Sequence, residues 1–391
     1  MCFYPYLTGS GLKVLPECLV TLMIWVCGLV FYYALATGKR GYYLLLAVVV
    51  NYTFFVHTRT FVFLGVVFFM GAVMFFQKKI DKKNLLYFLG FAGILFVLGT
   101  LWKNHIVDVV YSELVLVGKA ETIGNTVSIG DIITKIWNLI TNFSVLQIDS
   151  LSAKLFYLFV ATAGVFFIGV YVTIRDSAVQ IKEEKQIDAG NAVKLIYVMA
   201  ALLMIVALVV NPMGETEGTA HYFYARYYEY LAGPVILIGL CECISKRVKL
   251  LVWLALAGIL YLVSYFTLDL TGYLEVPDIY MDTNRMPAFS YIMGWNYLFE
   301  DVIKTGLRLT FEALVIIFVL NRFQWTRWFI PVVLLLMFLK SDKLNVEFVM
   351  GINAKNKDQY AIAESIEHYG DVENVYFLNG DFHMVTVYIG L

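Results

Sequence analysis

The chain has 391 residues, of which 60% are hydrophobic and only 15% charged, and its mean hydropathy is +0.74. Soluble domains carry about 25% charged residues, so water is not the main solvent here; soluble enzymes and basic nucleic-acid-binding modules are excluded as classes. The net charge of -1 conceals an uneven distribution of cations between loops, which is the most informative feature of the sequence.

A helix that crosses the hydrocarbon core needs about 20 mostly apolar residues. Runs of that kind predict ten spans, at 15–36, 41–57, 60–77, 84–102, 154–174, 192–211, 227–245, 248–267, 306–321 and 325–340. Lys and Arg collect in cytoplasmic loops. The breaks after the odd-numbered spans read TGKRG, QKKIDKKN, RDSAVQIKEEKQ, SKRVK and NRFQWTR, and hold fourteen cations, from Lys39 and Arg40 to Arg322 and Arg327. The even-numbered breaks, including the long ones at 103–153 and 268–305, are poorer in cations. The expectation is an all-α polytopic membrane protein at the cell membrane, with residues 1–340 as its helical domain. The N-terminus, the two long loops and the tail then face outward. An outward start without flanking cations leads to the further expectation that sequence precedes Met1, and the apolar ending VYFLNGDFHMVTVYIGL that the tail continues.

Within the first long loop, Ile129, Ile132, Ile133, Ile136, Leu139 and Ile140 recur at a helical period, predicting a helix along the membrane surface. Phe289, Ile292, Met293, Trp295 and Tyr297 predict a similar helix in the second. Residues 341–391 read as strand, helix, strand, strand, a small α/β segment on the outer side. The five cysteines have neither metal-site nor disulfide spacing and read as small core residues.

No phosphate-binding glycine loop, nucleophile elbow or paired histidines are present. What remains is the rule that ionisable groups near membrane depth mark function. Glu17 opens the first span, His57 and Arg59 sit in the tight outer turn VHTRT, and HYFYARYYEYLAGP brings His221, Arg226 and Glu229 to the outer end of the seventh span. Arg226 and Glu229 are three apart and, if helical, share a face. Guanidinium groups make two-pronged contacts with phosphate. Arg59 and Arg226 therefore point to the phosphate of a lipid-linked donor, and Glu17 or Glu229 to a sugar hydroxyl, a metal or an acceptor proton. The bland alternative makes all six interfacial residues, with Arg226 and Glu229 a structural ion pair.

With those residues in view, the chain resembles the polytopic GT-C glycosyltransferases, which use polyprenyl-phosphate sugars. The likeness lies in FYPYLTGSGLKVLPE before a span, VHTRTFVFL at an outer turn, ARYYEYLAGP entering a later span, and VYFL in an outer extension. The resemblance implies an outward-facing site where a polyprenyl-phosphate-linked sugar meets a cell-envelope glycan or lipid acceptor, with a divalent metal, Mg or Mn, as cofactor. It also implies a principal catalytic carboxylate in the first outer loop, a region that would precede Met1, so no residue here is assigned that role. Two alternatives stand beside it. One is a polysaccharide polymerase or ligase, which concentrates arginine in a large outer loop; here that loop carries Lys103, Lys119 and Lys135 but no arginine. The other is a lipid or oligosaccharide transporter or flippase, which places polar groups on broken helices near the midplane and shows internal repeats; no repeat is found. A non-enzymatic assembly scaffold also stays open.

Overall fold

The structure is a computed structural model. It describes residues 17–110, 145–210, 220–223, 225–270, 278–280, 287–292 and 296–344, together with 137, 141, 346 and 347. The first expected surface helix, apart from Ile136's neighbour Trp137, and the tail from 348 onward lie outside the described residues.

The described chain is almost wholly helical. Helices α1 (Glu17–Thr37), α2 (Arg40–Val56), α3 (Phe61–Phe76) and α4 (Lys82–Val110) form the first half. They are followed by α5 (Val145–Thr162), α6 (Val165–Glu184), α7 (Ala189–Val210), α8 (Glu229–Ser245), α9 (Leu250–Asp269), α10 (Phe299–Arg322) and α11 (330–344). Among the described residues, five helices are long and apolar enough to cross a membrane: α1, α4, α5, α7 and α9; α2 and α3 are shorter apolar helices.

Two expectations are corrected. The fifth apolar run, 154–174, is not one helix, because α5 ends at Thr162 and α6 starts at Val165. Ala163 and Gly164 between them have φ of 46° and 79°. Two successive left-handed residues cannot continue a right-handed helix. The Thr162 hydroxyl donates to Leu158 O at 2.7 Å and accepts the Phe166 N–H at 3.4 Å, which helps bridge the break. Hydropathy cannot see such a break, since both sides are apolar. The second expected surface helix is also absent: residues 287–291 form a 3-10 turn and 296–298 a strand, β2. That strand pairs antiparallel with β1 (Asp278–Tyr280), Ile279 facing Tyr297.

Small residues and buried amides set the helix contacts, as expected where apolar burial cannot discriminate between helix and lipid. Gly169 of α6 and Gly239 of α8 meet backbone to backbone; a Cβ on either would lie 2.1 Å from a carbonyl oxygen, that of Val235 or Val165. Gly28 of α1 makes room for Tyr197 of α7, whose hydroxyl donates to Ile24 O at 3.3 Å. Asn51 of α2 reaches Ala92 O of α4 at 3.2 Å.

The cation-bearing ends are stitched together. Asn84 donates to Gly38 O at 2.9 Å, the Ile187 N–H to Gln77 at 2.9 Å, and Arg175 to Glu242 at 2.9 Å. Asn321, fully buried, accepts the Val248 N–H at 2.8 Å and donates to Cys243 O at 2.6 Å and Lys246 O at 2.9 Å.

Candidate functional site

The opposite end holds a buried polar cluster built mainly on α5. Ser150, Lys154 and Tyr157 are spaced four and three apart, so they share one face of that helix. Lys154, 1% exposed, donates from Nζ to Ser150 Oγ at 3.0 Å and to Tyr222 O at 2.6 Å. The Tyr157 hydroxyl donates to Glu229 Oε1 at 2.8 Å and accepts the Ala288 N–H at 2.9 Å. One tyrosine thereby joins α5, the start of α8 and the 3-10 turn at 287–291. Aromatic rings enclose this link: Tyr157 and Phe289 centroids are 4.9 Å apart, Phe223 and Phe289 4.9 Å, and Tyr157 and Tyr228 6.2 Å.

Asp149, one residue before Ser150, is 0% exposed, and neither of its carboxyl oxygens meets a hydrogen-bond partner. It lies close enough to Asp269, the last residue of α9, to feel that charge. Tyr157 is eight residues further along α5, about 12 Å at the helical rise. Asp149 lies about 140° round α5 from Lys154 at 100° per residue, so it faces a different neighbour from the Lys154–Tyr157 face.

Beside it, the turn 57–60 meets the segment 225–229. The Arg59 guanidinium carbon sits 3.6 Å from the Tyr227 ring centroid, and the His57 ring 5.8 Å from the same ring. His57 Nδ1 accepts the Arg59 N–H at 3.3 Å. Arg59 Nη1 is buried and has no hydrogen-bond partner.

Of the six residues singled out from sequence, the structure brings Arg59 and His57 together over Tyr227, two residues from Glu229. Glu229 is not an interfacial residue meeting water, since it is 1% exposed inside the bundle. Nor do Arg226 and Glu229 share one helix: Arg226 belongs to the 3-10 turn Ala225–Tyr227, and α8 begins only at Glu229. His221 lies in the single helical turn Ala220–Phe223 and Glu17 opens α1; the side chains of Glu17, His221 and Arg226 lie outside the described residues. A Cβ on Gly233 of α8 would lie 3.8 Å from the Trp25 ring of α1, so those two helices are neighbours. Tyr227, Tyr228 and Tyr230 are buried.

Sequence reasoning missed Asp149, Lys154 and Tyr157. The signal was available in IDSLSAKLFYLF, where two ionisable residues interrupt an apolar run; Lys154 was absorbed as the first residue of a span. Among the described residues no group of three or more His, Cys, Asp or Glu forms a metal-binding set. Comparison of the chain with protein-family models, curated proteins and solved structures finds no match.

Proposed function

We propose that this chain is an integral membrane glycosyltransferase of GT-C type, moving a sugar from a polyprenyl-phosphate donor to a cell-envelope glycan or lipid acceptor at the outer face. In this reading the chain crosses the cell membrane ten times, the fifth pass being the broken pair α5 and α6; residues 341–344 continue α11 and 346–347 are helical rather than a strand, so the outer α/β segment starts only beyond them. The observation that carries it is Arg59, whose guanidinium is fixed over Tyr227 while a buried nitrogen lacks a partner. A buried donor without an acceptor is costly unless a ligand supplies one, and phosphate oxygens fit a guanidinium fork. Arg59 and Arg226 hold the donor phosphate; Lys154 adds a buried hydrogen-bond donor, and Glu229, oriented by Tyr157, receives sugar hydroxyls. Glu17, His57 and His221 line the entrance, and Mg or Mn is the cofactor that the family resemblance supplies.

The test is binding of polyprenyl phosphate and of its sugar-charged form to the purified full chain, followed by transfer of labelled sugar to envelope lipid extracts. Phosphate-dependent binding that is lost in Arg59→Ala supports the reading. Binding that is indifferent to Arg59 sinks it.

A transporter or flippase is the second reading, favoured by the break at Ala163 and Gly164 and the buried Lys154. Against it, the cation-bearing end is closed by Asn321, Arg175 and Gln77, which an alternating-access cycle would have to undo. Movement of fluorescent polyprenyl phosphate across proteoliposomes, without sugar transfer, would favour this second reading.

A further inference from the structure

The cation-bearing end is unevenly neutralised. Where α6, α7 and α8 meet, the carboxylates of Asp176 and Glu242 lie 2.7–3.6 Å from Arg175, Lys194 and Lys246. The turns after α1 and α3 differ. Lys39, Arg40, Lys78, Lys79, Lys82 and Lys83 are all exposed there, and among the described residues none of them pairs with a carboxylate. The one carboxylate in these turns, Asp81, is engaged at home: it accepts the Asn84 N–H at 2.7 Å and the Asn84 side-chain amide at 3.0 Å. That amide also donates to Gly38 O at 2.9 Å, so the two turns sit side by side and the six cations gather around a single contact. Like charges brought together repel one another, and an anion between them relieves that cost.

The surroundings of the patch suit a lipid. The Arg40 guanidinium carbon lies 4.0 Å from the Tyr87 ring centroid, and Tyr33 stacks on Tyr42 at 5.7 Å. Tyr33 and Tyr87 are exposed, and such rings settle at headgroup level. One to two turns further along α2 and α4, Leu45, Leu86 and Leu89 present exposed apolar side chains. We infer that the paired turns 38–41 and 77–84 bind the phosphate headgroup of an anionic phospholipid of the surrounding bilayer. Arg40, steadied by Tyr87, supplies the two-pronged donor, and the lysines supply the field that selects an anionic lipid over a neutral one. The exposed leucines favour a lipid over a soluble polyanion. Arg40 opens α2 and Arg59 follows its far end, so this site stands apart from the proposed sugar-transfer site.

The experiment uses the full chain in detergent and counts bound lipid by native mass spectrometry as phosphatidylglycerol or phosphatidylcholine is added. The parent is expected to bind phosphatidylglycerol about tenfold or more tightly than phosphatidylcholine, and the preference should shrink as salt rises. Lys79→Gln, Lys82→Gln and Lys83→Gln together change only exposed side chains and should remove most of that preference; Arg40→Gln should remove part of it. Lys246→Gln, Arg247→Gln and Lys249→Gln together take the same number of charges from another break at this end and should leave it in place. Glycerol 3-phosphate, which offers the phosphate ester without chains, should not displace the lipid. A parent without the preference, equal losses in the two triple variants, an Arg40→Gln protein that binds as the parent does, or displacement by the soluble ester overturns the inference.

Discussion

The Arg59 guanidinium carbon lies over the Tyr227 ring, 3.6 Å from its centroid, joining the turn after α2 to the segment that leads into α8. Such a contact contributes about 0.5–2 kcal/mol, and it holds the guanidinium plane still. Arg59→Ala is expected to weaken polyprenyl phosphate binding about ten- to a hundredfold, the range for loss of a charged hydrogen bond. Arg59→Lys keeps the charge but loses the fork and the stack, and falls between. Tyr227→Leu should weaken binding less than Arg59→Ala. Microscale thermophoresis on the full chain checks the order; equal affinities across the series would remove Arg59 from the site.

Gly169 and Gly239 let α6 and α8 touch through their backbones. A methyl group at either position would fall 2.1 Å from a carbonyl oxygen that cannot turn aside. Gly169→Ala and Gly239→Ala should each destabilise by about 1–3 kcal/mol, as overpacking does, and leucine at either should abolish a monodisperse peak. Gly258→Ala is the control, since nothing lies within 4 Å of a Cβ there. Thermal unfolding in detergent reads the difference, and a Gly169→Ala midpoint equal to that of Gly258→Ala would contradict the packing.

Lys154 is held by a carbonyl and a hydroxyl inside the bundle. Lys154→Met keeps the stem's bulk while leaving Tyr222 O without this donor, at a cost of about 1–3 kcal/mol. The same variant should weaken phosphate-ligand binding, whereas Ser150→Ala should alter stability more than binding. A Lys154→Met protein as stable as the parent would mean that water or another donor replaces the ammonium.

Asp188 caps α7 at the cation-bearing end, accepting the Asn191 N–H at 2.7 Å and the Gln180 side-chain amide. Partial burial alone would raise its carboxyl, but these bonds, the Lys194 charge and the Gly190 N–H outweigh it and hold it below the ordinary 3.8. A depressed folded value means that the ionised cap stabilises fully above the unfolded value and loses its effect as pH falls through the folded one. Asp188→Ala should therefore cost about 1 kcal/mol near neutrality, and the gap to the parent should close below about pH 4. Asp188→Asn, itself a good cap, should lie closer to the parent at neutral pH. A gap that persists unchanged into acid would show that the carboxylate's charge is not what stabilises α7.

The apolar runs and the alternation of cations, from Lys39 and Arg40 to Arg322 and Arg327, determined by themselves that the chain is helical, with several segments apolar enough to cross a membrane and with cations gathered in alternate breaks. Span length and charge bias are local properties, set by one segment and its solvent, and a sequence displays them directly. The turn at His57 and Arg59 and the region around Glu229 were legible for the same reason, as polar residues at the edges of apolar runs. The break after Thr162 was not, because it lies in the backbone angles of Ala163 and Gly164 and leaves the hydropathy unchanged. Nor was the pairing of Tyr157 with Glu229, residues 72 apart in sequence, or the approach of Ala288 to the same hydroxyl from 131 residues away. Only the tertiary structure decided those, since an apolar helix states which faces tolerate burial but not which neighbour it will meet; that choice rests on glycine-sized gaps and single buried polar atoms.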